Sequence, residues 1–222
     1  MSLQGEHLHG SHVQSANEAG LGTARIMALA DGVFAIVLTL LVLDLRAPWA
    51  SSDAQLALQL KQLAPSLIAF VISFAVVGIL WYGHHMESHW IRQSDRIHIG
   101  LTLVLLLTIC LVPFSAALLG RNHQLPLAAT IYGANLCSAG VMRYAHWVYA
   151  TSGQRLVDPG IDPALVRHVS RVFLLVVALY LGAIAVSWLS TLVAIACFAL
   201  IPVLYVIPAR QTRHLTSLRT AS

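Results

Sequence analysis

Ionised side chains are scarce in this sequence: 13 Lys and Arg and 9 Asp and Glu among 222 residues, 10% of the chain, against about 25% in ordinary soluble domains. The shortfall excludes a soluble fold, because a water-facing surface of this size needs far more charge. Intrinsic disorder fails as well, since 58% of the residues are apolar. Cysteine is almost missing. Cys110, Cys137 and Cys197 all fall inside apolar runs, and an odd number there cannot complete a disulfide framework; they read as small packing residues. The net charge of +4 is too small and too scattered for nucleic-acid binding, and the basic tail 209–222 holds only Arg210, Arg213 and Arg219. Neither a G-x-S-x-G nucleophile turn nor a Gly-rich phosphate loop occurs. The chain therefore reads as a non-enzyme without a cofactor.

What is present is apolar length. The mean hydropathy of +0.76 describes a chain whose solvent is mostly lipid. A hydrocarbon core about 30 Å thick needs about 20 helical residues, and windows of that size lie at 26–45, 64–83, 99–119 and 125–150. The stretch 172–207 would be roughly 54 Å long as one helix, so it must fold back, near Trp188, Leu189 and Ser190. The expected fold is therefore an all-α membrane protein with six transmembrane helices per subunit. The first run is too long for a signal-peptide core and carries Asp31, so it reads as a retained span. With the N-terminus inside, ten arginines flank the cytoplasmic ends and only Arg46, Lys61 and Arg121 lie outside. That bias places both termini in the cytoplasm of a multi-pass cell-membrane protein. The expected organisation is a disordered cytoplasmic tail over 1–22, a six-helix transmembrane domain over 23–208 and a basic cytoplasmic tail over 209–222. His7, His9 and His12 fall in the first tail and read as part of it rather than as a metal site. Leu56, Leu60 and Leu63 sit at helical spacing in the outer loop and predict a short amphipathic helix on the outer face. The fourth span, with Asn135, Arg143 and many small residues, is the least apolar; Ala129 and Gly133, four apart, suit close helix packing.

The first span stands apart from the others, which are rows of Leu, Val, Ala and Ile. Asp31 lies almost two turns inside it, where an ionisable group costs about 2.5–3.5 kcal/mol on insertion scales and should find polar partners from other spans within the subunit. Ile36, Thr39, Leu40 and Leu43 follow the i, i+3, i+4, i+7 pattern, and the stripe extends inward to Gly32, Leu29 and Arg25. Periodicity alone gives such a stripe to packing sooner than to a pore. Only the hydroxyl of Thr39 marks this face.

The start of this span resembles the signature of the transmembrane protein 175 family of potassium-permeable channels, R-x-x-x-F-S-D at the beginning of the first helix. Arg25 and Asp31 match, whereas Leu29 replaces the Phe and Ala30 the Ser; Gly32-Val33-Phe34-Ala35-Ile36, Thr39-Leu40-Leu41-Val42-Leu43 and the acid at Asp44 are similar to the continuation. The resemblance implies a single six-span unit that assembles as a homotetramer, with the first helices lining the pore and a hydrophobic constriction in place of a carbonyl filter. No T-V-G-Y-G loop occurs here, so this is a potassium-channel architecture of a different kind. On this sequence the constriction and gate become Ile36, Leu40 and Leu43, Thr39 contributes to selectivity, and Asp44 either raises cation concentration at the pore mouth or marks an interface. The resemblance also packs Trp81, His84 and His85, at the inner end of the second span, against Arg25 and Asp31. The partners so implied are potassium ions, the lipid bilayer and further copies of the chain, with potassium as permeant species.

Two other readings start from the histidines. His84, His85 and His89, with Glu87 between them and His98 and His146 on other spans, are raw material for a membrane-embedded metalloenzyme. The spacing is not H-E-x-x-H. Asp31 with nearby histidines could also carry protons in a proton-coupled transporter, although the chain has no two-half symmetry and no pair of broken helices.

Overall fold

The computed structural model describes residues 23–202, so the two tails, including the N-terminal histidines and Arg210, Arg213 and Arg219, lie outside the described residues. The described chain is helical almost throughout. α1 spans residues 23–40 and tightens into a 3₁₀ turn at Leu41–Asp44. It is followed by α2 (Asp53–Ser88), α3 (Arg96–Cys110), α4 (Val112–Arg121), α5 (Pro126–Thr151), α6 (Pro163–Ser187) and α7 (Thr191–Leu200). α3 and α4 are two halves of one apolar rod, which leaves the six-helix plan that the hydropathy windows predict. Four of these helices are long and apolar enough to cross a membrane: Thr23–Asp44, Asp53–Ser88, Arg96–Arg121 and Pro163–Ser187.

The amphipathic segment expected on the outer face is not a separate helix. Ser52 caps α2, its hydroxyl accepting from the Gln55 N–H at 3.3 Å, and the helix then runs unbroken through Pro65 to Ser88. At 1.5 Å per residue these 36 residues make a rod of roughly 54 Å, longer than the hydrocarbon core. Proline costs a helix one N–H, and Pro65 stands where α2 passes from an exposed segment into the bundle.

The rod of α3 and α4 breaks at Leu111, just before Pro113, and α5 supplies the repair. The Asn135 side chain fits the break with its amide nitrogen donating to the Thr108 carbonyl at 3.0 Å. Its oxygen then accepts from the Val112 N–H at 3.2 Å and from the Ser115 hydroxyl at 3.0 Å. α5 therefore carries a polar residue because its neighbour carries a proline.

α5 is the central helix. It packs on α3, α4, α6 and α7, which is why its residues are small and why it falls outside the long apolar rods. Gly133 lies at its tightest contact: a Cβ there would sit 2.7 Å from Ile184 Cγ1 and 2.7 Å from Phe198 Cζ. Gly133→Leu is expected to cost about 1–3 kcal/mol through overpacking, read as a lower melting temperature in a fixed detergent. An unchanged melting point would mean that α6 and α7 have slack. After α6 the chain reverses at Trp188, Leu189 and Ser190, where the Ser190 hydroxyl accepts from the Val193 N–H at 3.4 Å to start α7.

Candidate functional site

α1 divides sharply into two faces. Ile26, Ala30, Phe34, Val37 and Leu41, spaced four, four, three and four apart, are buried against the chain's own bundle. The opposite stripe is left uncovered by that bundle: Ile36 is 58% exposed, Leu40 42% and Leu43 69%, and Arg25, Leu29, Gly32 and Thr39 are exposed with them. The sequence stripe is thus the face that a single subunit does not use for its own packing.

Thr39 has a specific geometry on that face. Its hydroxyl donates to the Ile36 carbonyl at 2.7 Å, which commits the one hydroxyl proton to the helix. The lone pairs of the oxygen are then what the side chain can offer to a cation. Asp44, at the end of the 3₁₀ turn that follows α1, is ion-paired with Arg121 from the end of α4. Its charge is balanced within the subunit, and the pair ties the end of α1 to α4.

In the N-terminal half of α1 the structure brings together part of the expected network. Trp81 Nε1 donates to Asp31 Oδ1 at 2.9 Å. The Trp81 ring stacks on His85 at 5.7 Å between centroids, and His85 meets His89 edge-on at 5.0 Å. Asp31 finds its polar partner on another span as expected, but it does not point into the subunit: it stays exposed at the border of the α1 stripe. Arg25 stands on the exposed face, and no ion pair joins it to Asp31 among the described residues.

His84 turns the other way. It is 2% exposed, with its ring 6.0 Å from Phe34 of α1 and 5.9 Å from His146 of α5; His146 in turn lies 4.2 Å from His98 of α3. Thr102, which donates to the His98 carbonyl at 2.9 Å, lies 3.2 Å from His146 Nε2. Beside this cluster Arg143 of α5 forms an ion pair with Glu87 of α2, and both side chains are buried. The guanidinium also lies 5.0 Å from the centre of the Phe173 ring of α6. A Cβ on Gly83 would fall 2.5 Å from one of its nitrogens, so glycine is what lets the arginine lie against α2.

Below the cluster, Asp95 caps α3, accepting from the His98 N–H at 2.8 Å and from the Tyr149 hydroxyl at 2.6 Å. The Tyr149 hydroxyl, with the His98 and Ile97 amides, holds the Asp95 carboxyl below the usual carboxylate range. The cap stays charged and fastens the start of α3 to the end of α5.

Sequence reasoning did not single out Phe34, Gly83, Glu87 or Arg143 as a unit. The signal available was two opposite charges inside apolar helices, Glu87 and Arg143, which lipid makes expensive unless they meet. The histidines divide between two sides of α2, so His84 does not join His85 and His89. No group of three His, Cys, Asp or Glu among the described residues is placed to hold a metal.

The model of the family described as endosomal/lysosomal potassium channel TMEM175 matches residues 25–113. A potassium channel of Streptomyces collinus is 31% identical over 193 residues, covering 85% of this chain and 92% of its own. One from Chamaesiphon minutus is 32% identical over 184 residues, covering 80% and 91%. The crystal structure of a lysosomal potassium-selective channel TMEM175 homolog from Chamaesiphon minutus superposes with a TM-score of 0.75 at 27% identity, over 84% of this chain and 97% of that one. A bovine protein named endosomal/lysosomal proton channel TMEM175 is 40% identical over a shorter segment of 84 residues, 34% of this chain and 18% of its own. The chain belongs to the TMEM175 family, which is a family of ion channels and not of enzymes.

Proposed function

We propose that this chain forms a homotetrameric, potassium-selective leak channel in the cell membrane, with both termini in the cytoplasm and the six-helix domain 23–208 as its channel unit. The observation that carries the reading is the stripe of Ile36, Leu40 and Leu43, left uncovered on a helix whose opposite face is buried in its own bundle. The bacterial relatives named as potassium channels support the choice of ion. Four copies of the stripe around an axis make rings of aliphatic side chains at three levels. An ion must shed part of its hydration shell to pass them, and potassium holds its water less tightly than sodium. A ring of four Thr39 oxygens offsets part of that cost, because their protons already point at the helix backbone. Hydrophobic rings also close by dewetting, so constriction and gate are the same residues. Asp44 lies at the mouth with its charge shared by Arg121, which fixes the outer end of the pore helix.

The test is ion flux from purified, inserted protein in liposomes under potassium, sodium and proton gradients in turn. Potassium flux well above sodium flux is the expected result. Proton flux without potassium flux would replace the reading with that of the mammalian relatives named proton channels, and coupling of a proton to a solute would make the protein a transporter. No flux of any ion overturns the channel.

A further inference from the structure

We infer that Arg143, pinned over Gly83 by Glu87, is a positioning residue for the pore helix, acting on α1 through His84 and Phe34. The inference rests on the reading that α1 lines the pore, and adds a second layer of residues that sets where the constriction stands.

The chain of contacts is short. Arg143 reaches from α5 across to α2, where Glu87 holds its guanidinium and the bare backbone of Gly83 makes room for it. Phe173 of α6 backs the same guanidinium. The residue after Gly83 is His84, wedged between His146 and Phe34. Neither ring nitrogen of His84 has a hydrogen-bond partner among the described residues, so the ring is held by what packs around it. Phe34 is 1% exposed, in the middle of the buried stripe of α1. Ile36 is two residues further on, about 200° around the helix. A shift or rotation imposed at Phe34 therefore moves Ile36 on the opposite side by the same amount.

α2 grips α1 at two points: Trp81 takes Asp31 and His84 takes Phe34, and each pair of positions is three apart in sequence. One contact fixes height and the two together fix rotation. Stability alone does not account for the ion pair at their base. A buried pair often stabilises no better than well-packed apolar residues of the same volume, and an ionisable group inside a membrane-spanning helix is costly and usually functional. Geometry does account for it: a forked guanidinium locked between three helices gives His84 one position.

The experiment is single-channel recording of reconstituted protein, read as the potassium-to-sodium permeability ratio of individual channels, so that a loss of folded material does not enter the result. Gly83→Ala pushes the guanidinium aside and leaves both charges in place. Arg143→Met combined with Glu87→Leu removes the pair without stranding a charge. Both are expected to lower the ratio at least three-fold, and Phe34→Leu added to Gly83→Ala is expected to lower it no further. Ser73→Ala breaks another buried link between α2 and α5, the 2.9 Å hydrogen bond to Tyr132, and is expected to leave the ratio unchanged. Wild-type ratios in both Gly83→Ala and the double variant, or an equal fall in Ser73→Ala, overturn the inference. Ile36→Asn separates the two layers. If it alters permeation while neither Gly83→Ala nor the double variant does, only the positioning role falls; if none of the three does, the pore reading falls and takes this one with it.

Discussion

Ile36→Asn is expected to raise potassium conductance on the order of ten-fold and to bring the sodium permeability close to that of potassium. The reasoning starts from exposure. Ile36 is 58% exposed in the single subunit, so an amide of smaller volume there creates no clash and strands no buried polar group in the monomer. Folding should be spared. In a four-fold ring the same change replaces apolar branches by four amides, whose oxygens and N–H groups keep a water column in place. A barrier lowered by about 1.4 kcal/mol is enough for a ten-fold rise in rate, less than the desolvation of one unpaired polar group in an apolar site. Selectivity falls for the same reason, because an ion that keeps its water no longer reveals how tightly it holds it. Thr39 remains one turn away and keeps its hydroxyl on the Ile36 carbonyl, so the backbone of the constriction is unaltered. Single-channel recording in symmetrical potassium, followed by a sodium gradient, measures both quantities. Unchanged conductance and selectivity would place this stripe against another helix or lipid, not around a pore.

Legibility differed from element to element for physical reasons. The reversal at Trp188 to Ser190 was readable because a helix longer than the bilayer has to turn, and Ser190 is a good cap at that point. Close packing at Gly133 was readable because small residues four apart have few other uses in an apolar helix. The two faces of α1 were not separable by composition. Ile26, Phe34 and Val37 are as apolar as Ile36, Leu40 and Leu43, and only the bundle decides which set is covered. The continuation of the outer segment into α2 was not legible, because the hydropathy window starts only at residue 64 and the polar turns before it, with Pro65 tolerated in the helix interior, carry no apolar signal of a span. His84 and His85 were indistinguishable neighbours in sequence, yet they face opposite environments, one against Phe34 and the other against Trp81. Adjacent residues on a helix diverge by about 100°, so the partner helices decide which histidine is buried.

Glu87→Ala is expected to be strongly destabilising, at about 3–5 kcal/mol. Arg143 and Glu87 side chains are only 2% and 8% exposed, and removing the carboxylate takes away the guanidinium's ion-pair partner inside the bundle. For a chain of this size each kcal/mol is about 2–4 °C in melting temperature, so the expected fall is roughly 6–20 °C, read by thermal unfolding in a fixed detergent and lipid. Glu87→Gln should lose less, because its amide oxygen still accepts from Arg143. The decisive comparison is Glu87→Leu with Arg143→Met, which removes both charges and fills similar volume; such replacements are often neutral or stabilising. Its melting point is expected within a few degrees of wild type, well above that of Glu87→Ala. If the double variant melts as low as the single one, the pair is a stabilising contact in its own right. If it melts high while its channels select poorly, the pair is kept for the position it gives the pore helix, at a cost in stability that apolar residues would not incur.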